Sequence, residues 1–119
     1  MSKSSTITTN PGVKLAGPPI HPGELLSDEL KALGASASDA ARSLGVPVNR
    51  ITEILRKRRA VTADTALRLG QWLGSGPEIW MALQQDYDLR FTRKLIGNDL
   101  KRIPRRKVVR HTRLVSAAA

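Results

Sequence analysis

Ser36-Ala37-Ser38-Asp39-Ala40-Ala41-Arg42-Ser43-Leu44-Gly45-Val46-Pro47-Val48-Asn49-Arg50-Ile51-Thr52-Glu53-Ile54-Leu55 is the stretch that decides the fold. Ser36 is a good N-cap, and Asp39 stands three residues on, at the spacing of a capping box. Ala40, Ala41 and Leu44 give a short apolar face and Gly45 closes it, which predicts a helix over 37–44. Val46-Pro47 bars continuation. From Val48, the residues Ile51, Ile54 and Leu55 mark a second buried stripe, which predicts a helix over 48–56. Two short helices about a glycine-containing turn make a helix-turn-helix. The side chains meet its demands: Ala40 and Ala41 allow a close crossing, Val46 plugs the angle between the helices, and Ile51 and Ile54 bury the second helix.

The other face of that second helix carries Val48, Asn49, Arg50 and Glu53, free to enter a DNA major groove. The types suit base reading. Arg pairs with guanine, Asn with adenine, Glu accepts from cytosine N4, and Val meets a thymine methyl. Arg56-Lys57-Arg58-Arg59 follows directly. One or two cations at a helix C-terminus are accounted for by the helix dipole. Four in a row behind a groove-facing helix favour phosphate clamping.

On the N-terminal side, Pro22 opens a helix over 22–33 in which Leu25, Leu26, Leu30 and Leu33 recur at helical spacing, and Gly34 ends it. Thr62 caps a fourth helix that runs to Gly74, with Asp64 near its positive end and Ala66, Leu67, Leu69 and Leu73 expected to face inward. Ser75-Gly76-Pro77-Glu78 starts a fifth, on which Trp80, Leu83, Tyr87 and Phe91 form one stripe. That stripe has two readings, core packing and a two-fold dimer seam. No segment alternates with period two. The fold class is therefore all-α, with five helices.

The 119 residues carry 20 Lys/Arg against 10 Asp/Glu, a net charge of +10. The surplus is uneven: residues 1–20 hold +2, residues 21–89 hold −1, and residues 90–119 hold +9. Composition therefore marks three parts. Residues 1–19 form a Ser/Thr/Gly/Pro-rich arm expected to be disordered, residues 20–96 the DNA-binding domain, and residues 97–119 a basic, flexible tail. With no Cys, disulfide scaffolds, thiol catalysis and Cys-ligated metals are excluded. No apolar run approaches membrane-spanning length, and the start has no signal-peptide character, so the expected location is the cytoplasm. Neither His21 nor His111 has a partner constellation, and Asp86 and Asp88 fall on different helix faces. The chain is therefore expected not to be an enzyme, and nothing calls for a cofactor or metal.

Three blocks, Ile20-His21-Pro22-Gly23-Glu24-Leu25-Leu26, Leu44-Gly45-Val46-Pro47-Val48-Asn49-Arg50-Ile51 and Thr62-Ala63-Asp64-Thr65-Ala66-Leu67-Arg68-Leu69, resemble the HigA antitoxins of toxin–antitoxin modules. A fourth, Gly76-Pro77-Glu78-Ile79-Trp80 with Leu83-Gln84 and Tyr87-Asp88-Leu89, fits the same family's last helix. The resemblance covers about 20–90 and implies a phage-repressor-like helix-turn-helix domain with flexible N- and C-terminal extensions. It implies a homodimer that binds double-stranded operator DNA, represses its operon, and neutralises a HigB-like mRNA-cleaving toxin. It also places base reading on Val48, Asn49, Arg50 and Glu53, and phosphate contact on Thr52, Arg56, Lys57, Arg58 and Arg59.

There are departures from the family pattern. Lys57 stands where the family often has a helix-ending Gly, so the helix is expected to run further or end differently. Ala40 replaces a usual Leu, predicting a thinner contact under the helix over 37–44. The basic extension beyond Arg90 is longer than the pattern requires. If the toxin is basic, Glu24, Asp28, Glu29 and Asp39 make a candidate docking patch on the side away from DNA. Against that, Glu24 and Asp39 also suit first-turn and capping roles, and the arm 1–19 could wrap the toxin instead. Two other functions stay open: a helix-turn-helix regulator with no toxin partner, and a sequence-tolerant basic nucleic-acid-binding protein.

Overall fold

The computed structural model describes residues 17–107, and these form five helices and no strand: α1 (Pro22–Leu33), α2 (Ala37–Leu44), α3 (Val48–Leu55), α4 (Ala63–Leu73) and α5 (Glu78–Lys101). Most of the expected arm 1–19, and the tail beyond Lys107 with His111, lie outside the described residues. The caps are those that local chemistry predicts. The Ser36 hydroxyl accepts from the Asp39 amide at 3.0 Å while the Asp39 carboxylate accepts from the Ser36 amide at 2.9 Å. Thr62 caps α4, and Gly34, Gly45 and Gly74 end α1, α2 and α4 in the left-handed region.

The core is one cluster. Leu26 and Leu30 of α1, Ala40, Ala41 and Leu44 of α2, and Ile51 and Ile54 of α3 meet Ala66 and Leu69 of α4 and Trp80 of α5. Ala40 is fully buried, and Val46 packs partly buried against the cluster. The α1–α3 crossing depends on Gly23, where an added Cβ would lie 2.1 Å from the Ile54 carbonyl oxygen. His21 closes the entry to α1. Its ring is buried, Nδ1 accepts from the Gly23 amide at 2.9 Å, and it stands edge-on to Tyr87 of α5 at 4.9 Å.

Some expectations are corrected. Leu67 is 60% exposed and Leu33 is 55% exposed, so neither faces inward. Successive helical residues are turned by about 100°, so with Ala66 and Leu69 in the core their neighbour Leu67 points out. The helix over 48–56 ends one residue early, at Leu55. α5 continues five residues past 96 to Lys101, although its backbone leaves helical geometry at Ile96 (φ −111°, ψ 17°), just before Gly97.

The expectation at Lys57 is overturned. α3 does not run on, because Lys57 itself adopts the left-handed conformation, with φ 63°, alone among described non-glycine residues. Its amide donates to the Ile54 carbonyl at 2.9 Å and the Arg58 amide donates to the Glu53 carbonyl at 2.8 Å. These are the two bonds of a Schellman ending, formed here without glycine.

Candidate nucleic-acid interface

α3 is fastened from below by Ile51 and Ile54, both fully buried, and its opposite face is left to solvent. Its positive end is open as well. Pro47 provides no side-chain cap, and no acidic residue lies in the first turn. An unneutralised helix N-terminus favours anionic partners.

The four expected base readers divide into two pairs. Val48 and Asn49 are exposed. Arg50 and Glu53 are engaged within the molecule: Arg50 Nη1 donates to Asp64 Oδ1 at 2.9 Å, and Arg59 Nε donates to Glu53 Oε1 at 2.8 Å. Thr52 is half-buried, and its hydroxyl donates to the Asn49 carbonyl at 3.3 Å.

The Schellman turn sends the basic run away from the α3 axis. Lys57 Nζ meets Glu24 Oε2 at 3.2 Å and Arg59 Nη2 meets Glu53 Oε1 at 2.7 Å, whereas the Arg56 and Arg58 side chains make no ion pair among the described residues. Surface pairs of this kind are weak and exchange readily for phosphate. The run is followed by Val61, whose buried amide donates to Gln84 Oε1 at 2.8 Å, while Gln84 Nε2 donates to Asp88 Oδ1 at 2.9 Å. Gln84 thus ties the α3–α4 connection to α5.

The acidic candidates for toxin docking differ in what already engages them. Glu24 is paired with Lys57, and Glu24 and Asp28 line a cleft with Lys57 and Leu55. Asp39 is committed to its capping box and to Arg42 at 3.3 Å. Hydrogen bonds from the Ser36 amide and hydroxyl hold the Asp39 carboxyl below the usual range. Glu29 is half-buried.

The α5 stripe also splits. Trp80 and Leu83 are buried, with Trp80 Nε1 donating to Ser75 Oγ at 3.2 Å, whereas Tyr87 stacks on Phe91 at 5.8 Å and Phe91 is 49% exposed. Trp80 and Leu83 are therefore unavailable to a second copy.

Two participants lie outside the candidate site residues that the sequence offers. Gln84 is a polar residue inside an apolar stripe, a signal that was present. Arg68 stands four residues after Asp64; its Nε donates to Asp64 Oδ1 at 2.7 Å and its Nη1 to the Leu44 carbonyl at 2.8 Å. Arg68 first, then Arg50, lowers the Asp64 carboxyl pKa. Among the described residues, no group of His, Asp or Glu is placed to hold a metal ion, and no helix is long and apolar enough to cross a membrane.

No family model matches the chain. Individual proteins do. Virulence-associated protein I of Dichelobacter nodosus is 47% identical over 81 residues, a match covering 67% of this chain and 75% of that protein. The solved structure of an addiction module antidote protein of the HigA family from Coxiella burnetii is 42% identical; the match covers 76% of this chain and 100% of that one, with a TM-score of 0.72. The Pseudomonas aeruginosa antitoxin HigA, solved with the higBA promoter, is 34% identical at the same coverage and the same TM-score, 0.72.

Proposed function

Because the chain belongs to the HigA family of helix-turn-helix antitoxins, we propose that it is the antitoxin of a type II toxin–antitoxin module. In this reading it binds operator DNA as a homodimer in the cytoplasm, represses its own operon, and neutralises an mRNA-cleaving toxin. It performs no catalysis of its own. The observation that carries the reading is the open face of α3, with its uncapped N-terminus and the basic run behind it, in a fold shared with an antitoxin solved on its promoter.

Residues 20–96 act as the DNA-binding unit. Val48 and Asn49 meet base edges directly, Arg50 meets them from its anchored position, and Glu53 does so once Arg59 turns to a phosphate. Thr52, Arg56, Lys57, Arg58 and Arg59 contact the backbone and set register. The basic segment after Gly97 adds sequence-independent attraction. A dimer places two copies of α3 at half-sites about 34–36 Å apart. Its seam must use exposed apolar groups such as Phe91 and Leu95, since the inner half of the α5 stripe is spent on the core. Of the acidic candidates for toxin docking, Asp28 and Glu29 make no ion pair among the described residues and so remain available.

Co-expression with the product of the adjacent reading frame tests the proposal. Growth rescue together with co-purification supports it. An adjacent product that is harmless alone, alongside retained operator binding, leaves a regulator without a toxin.

A further inference from the structure

Arg50 is the one candidate base reader that a separate helix holds in place. Asp64 Oδ1 accepts from Arg50 Nη1 at 2.9 Å and from Arg68 Nε at 2.7 Å, and Arg68 Nη1 is in turn held by the Leu44 carbonyl at 2.8 Å. The chain of bonds therefore runs from α3 to the first turn of α4 and back to the last turn of α2. The last turn of α2, through Arg68, and the first turn of α3, through Arg50, are thus tied to one carboxylate oxygen. The Arg50 side chain is 28% exposed, so its guanidinium is partly sheltered yet reachable.

The geometry points to Asp64 as a positioning residue that sets the base specificity of Arg50, with Arg68 as its anchor. This deepens the proposed operator binding and rests on it. An unrestrained arginine reaches many acceptors, phosphates included, and loses rotamer freedom when it settles on one. Here Asp64 occupies Nη1 and leaves the Nε–Nη2 edge, two parallel donors matching guanine O6 and N7. The same carboxylate repels phosphate oxygens that would otherwise capture the guanidinium. Asp64 thereby raises selectivity at one base pair without touching a base, at some cost in overall attraction.

The test is selection of duplexes from a randomised pool by the full chain, comparing the unchanged protein with Asp64→Asn, Arg68→Gln and Arg50→Ala, followed by affinity measurements on the enriched sequence and a scrambled one. Asp64→Asn is expected to relax the same base pair that Arg50→Ala relaxes and to keep the rest of the motif. Its preference for guanine there should fall by about tenfold, while binding to scrambled DNA is unchanged or stronger. Arg68→Gln should relax the same position more mildly. An Asp64→Asn motif identical to the unchanged protein's, or a uniform weakening at all positions, overturns the inference. Failure of the unchanged protein to enrich any motif overturns the operator-binding reading instead, and this inference with it.

Discussion

Lys57 and His21 show how single side chains are held against their intrinsic preferences. A left-handed non-glycine residue costs roughly 1–2 kcal/mol, and the exposed pair with Glu24 returns little of it. Lys57→Gly is accordingly expected to stabilise the fold by about 1 kcal/mol, since glycine's greater entropy loss offsets part of the relief. Thermal denaturation measures this. The same variant should lower the salt slope of DNA binding by about one if Lys57 meets a phosphate. At His21, burial first and Lys57 second lower the imidazole pKa below its ordinary value of 6.5, outweighing Asp88 and Glu24, which raise it. Above 6.5 the ring is neutral in both folded and unfolded chains, and its contribution is complete. As pH falls through that value the unfolded chain takes up a proton that the folded chain resists, so stability is lost. Melting temperature should drop between about pH 7.5 and about pH 5.5. His21→Asn, which can still cap α1, should flatten that drop while lowering stability at the upper pH through loss of the contact with Tyr87.

Elements meet through a small number of specific bonds, and the one between the α3–α4 connection and α5 is the most exacting. Gln84→Leu keeps the volume but orphans the buried Val61 amide, and is expected to cost roughly 1–3 kcal/mol in denaturant unfolding. A loss no larger than that of an exposed α5 substitution would show that the bond carries little. The helices themselves were legible in the sequence because their ends are written locally: Ser36 with Asp39, Thr62, and Gly34, Gly45 and Gly74. What could not be read were partnerships between distant residues. Gln84 finds Val61, Arg50 finds Asp64 and Glu53 finds Arg59 only once the helices pack. Helical spacing offered both Ala66 and Leu67 to the core, and the packing of α4 buried Ala66 and left Leu67 exposed. At Lys57, tertiary packing of α3 overrode the preference for glycine.

Across the whole molecule, the net charge of +10 separates into a near-neutral helical body and a strongly basic C-terminal segment. Counterion release makes attraction by that segment strong, salt-sensitive and indifferent to sequence, whereas selectivity depends on the α3 face. Removing 98–119 should therefore weaken binding to all duplexes alike and leave base preference in place. The measurement that bears most directly on this account is the ratio of affinities for the duplex upstream of its own gene and a scrambled duplex, at about 150 mM salt. A preference of ~10³-fold or more is expected, preserved without 98–119 and sharply reduced by Asn49→Ala or Arg50→Ala. A ratio near one, with binding lost when 98–119 is removed, would contradict it.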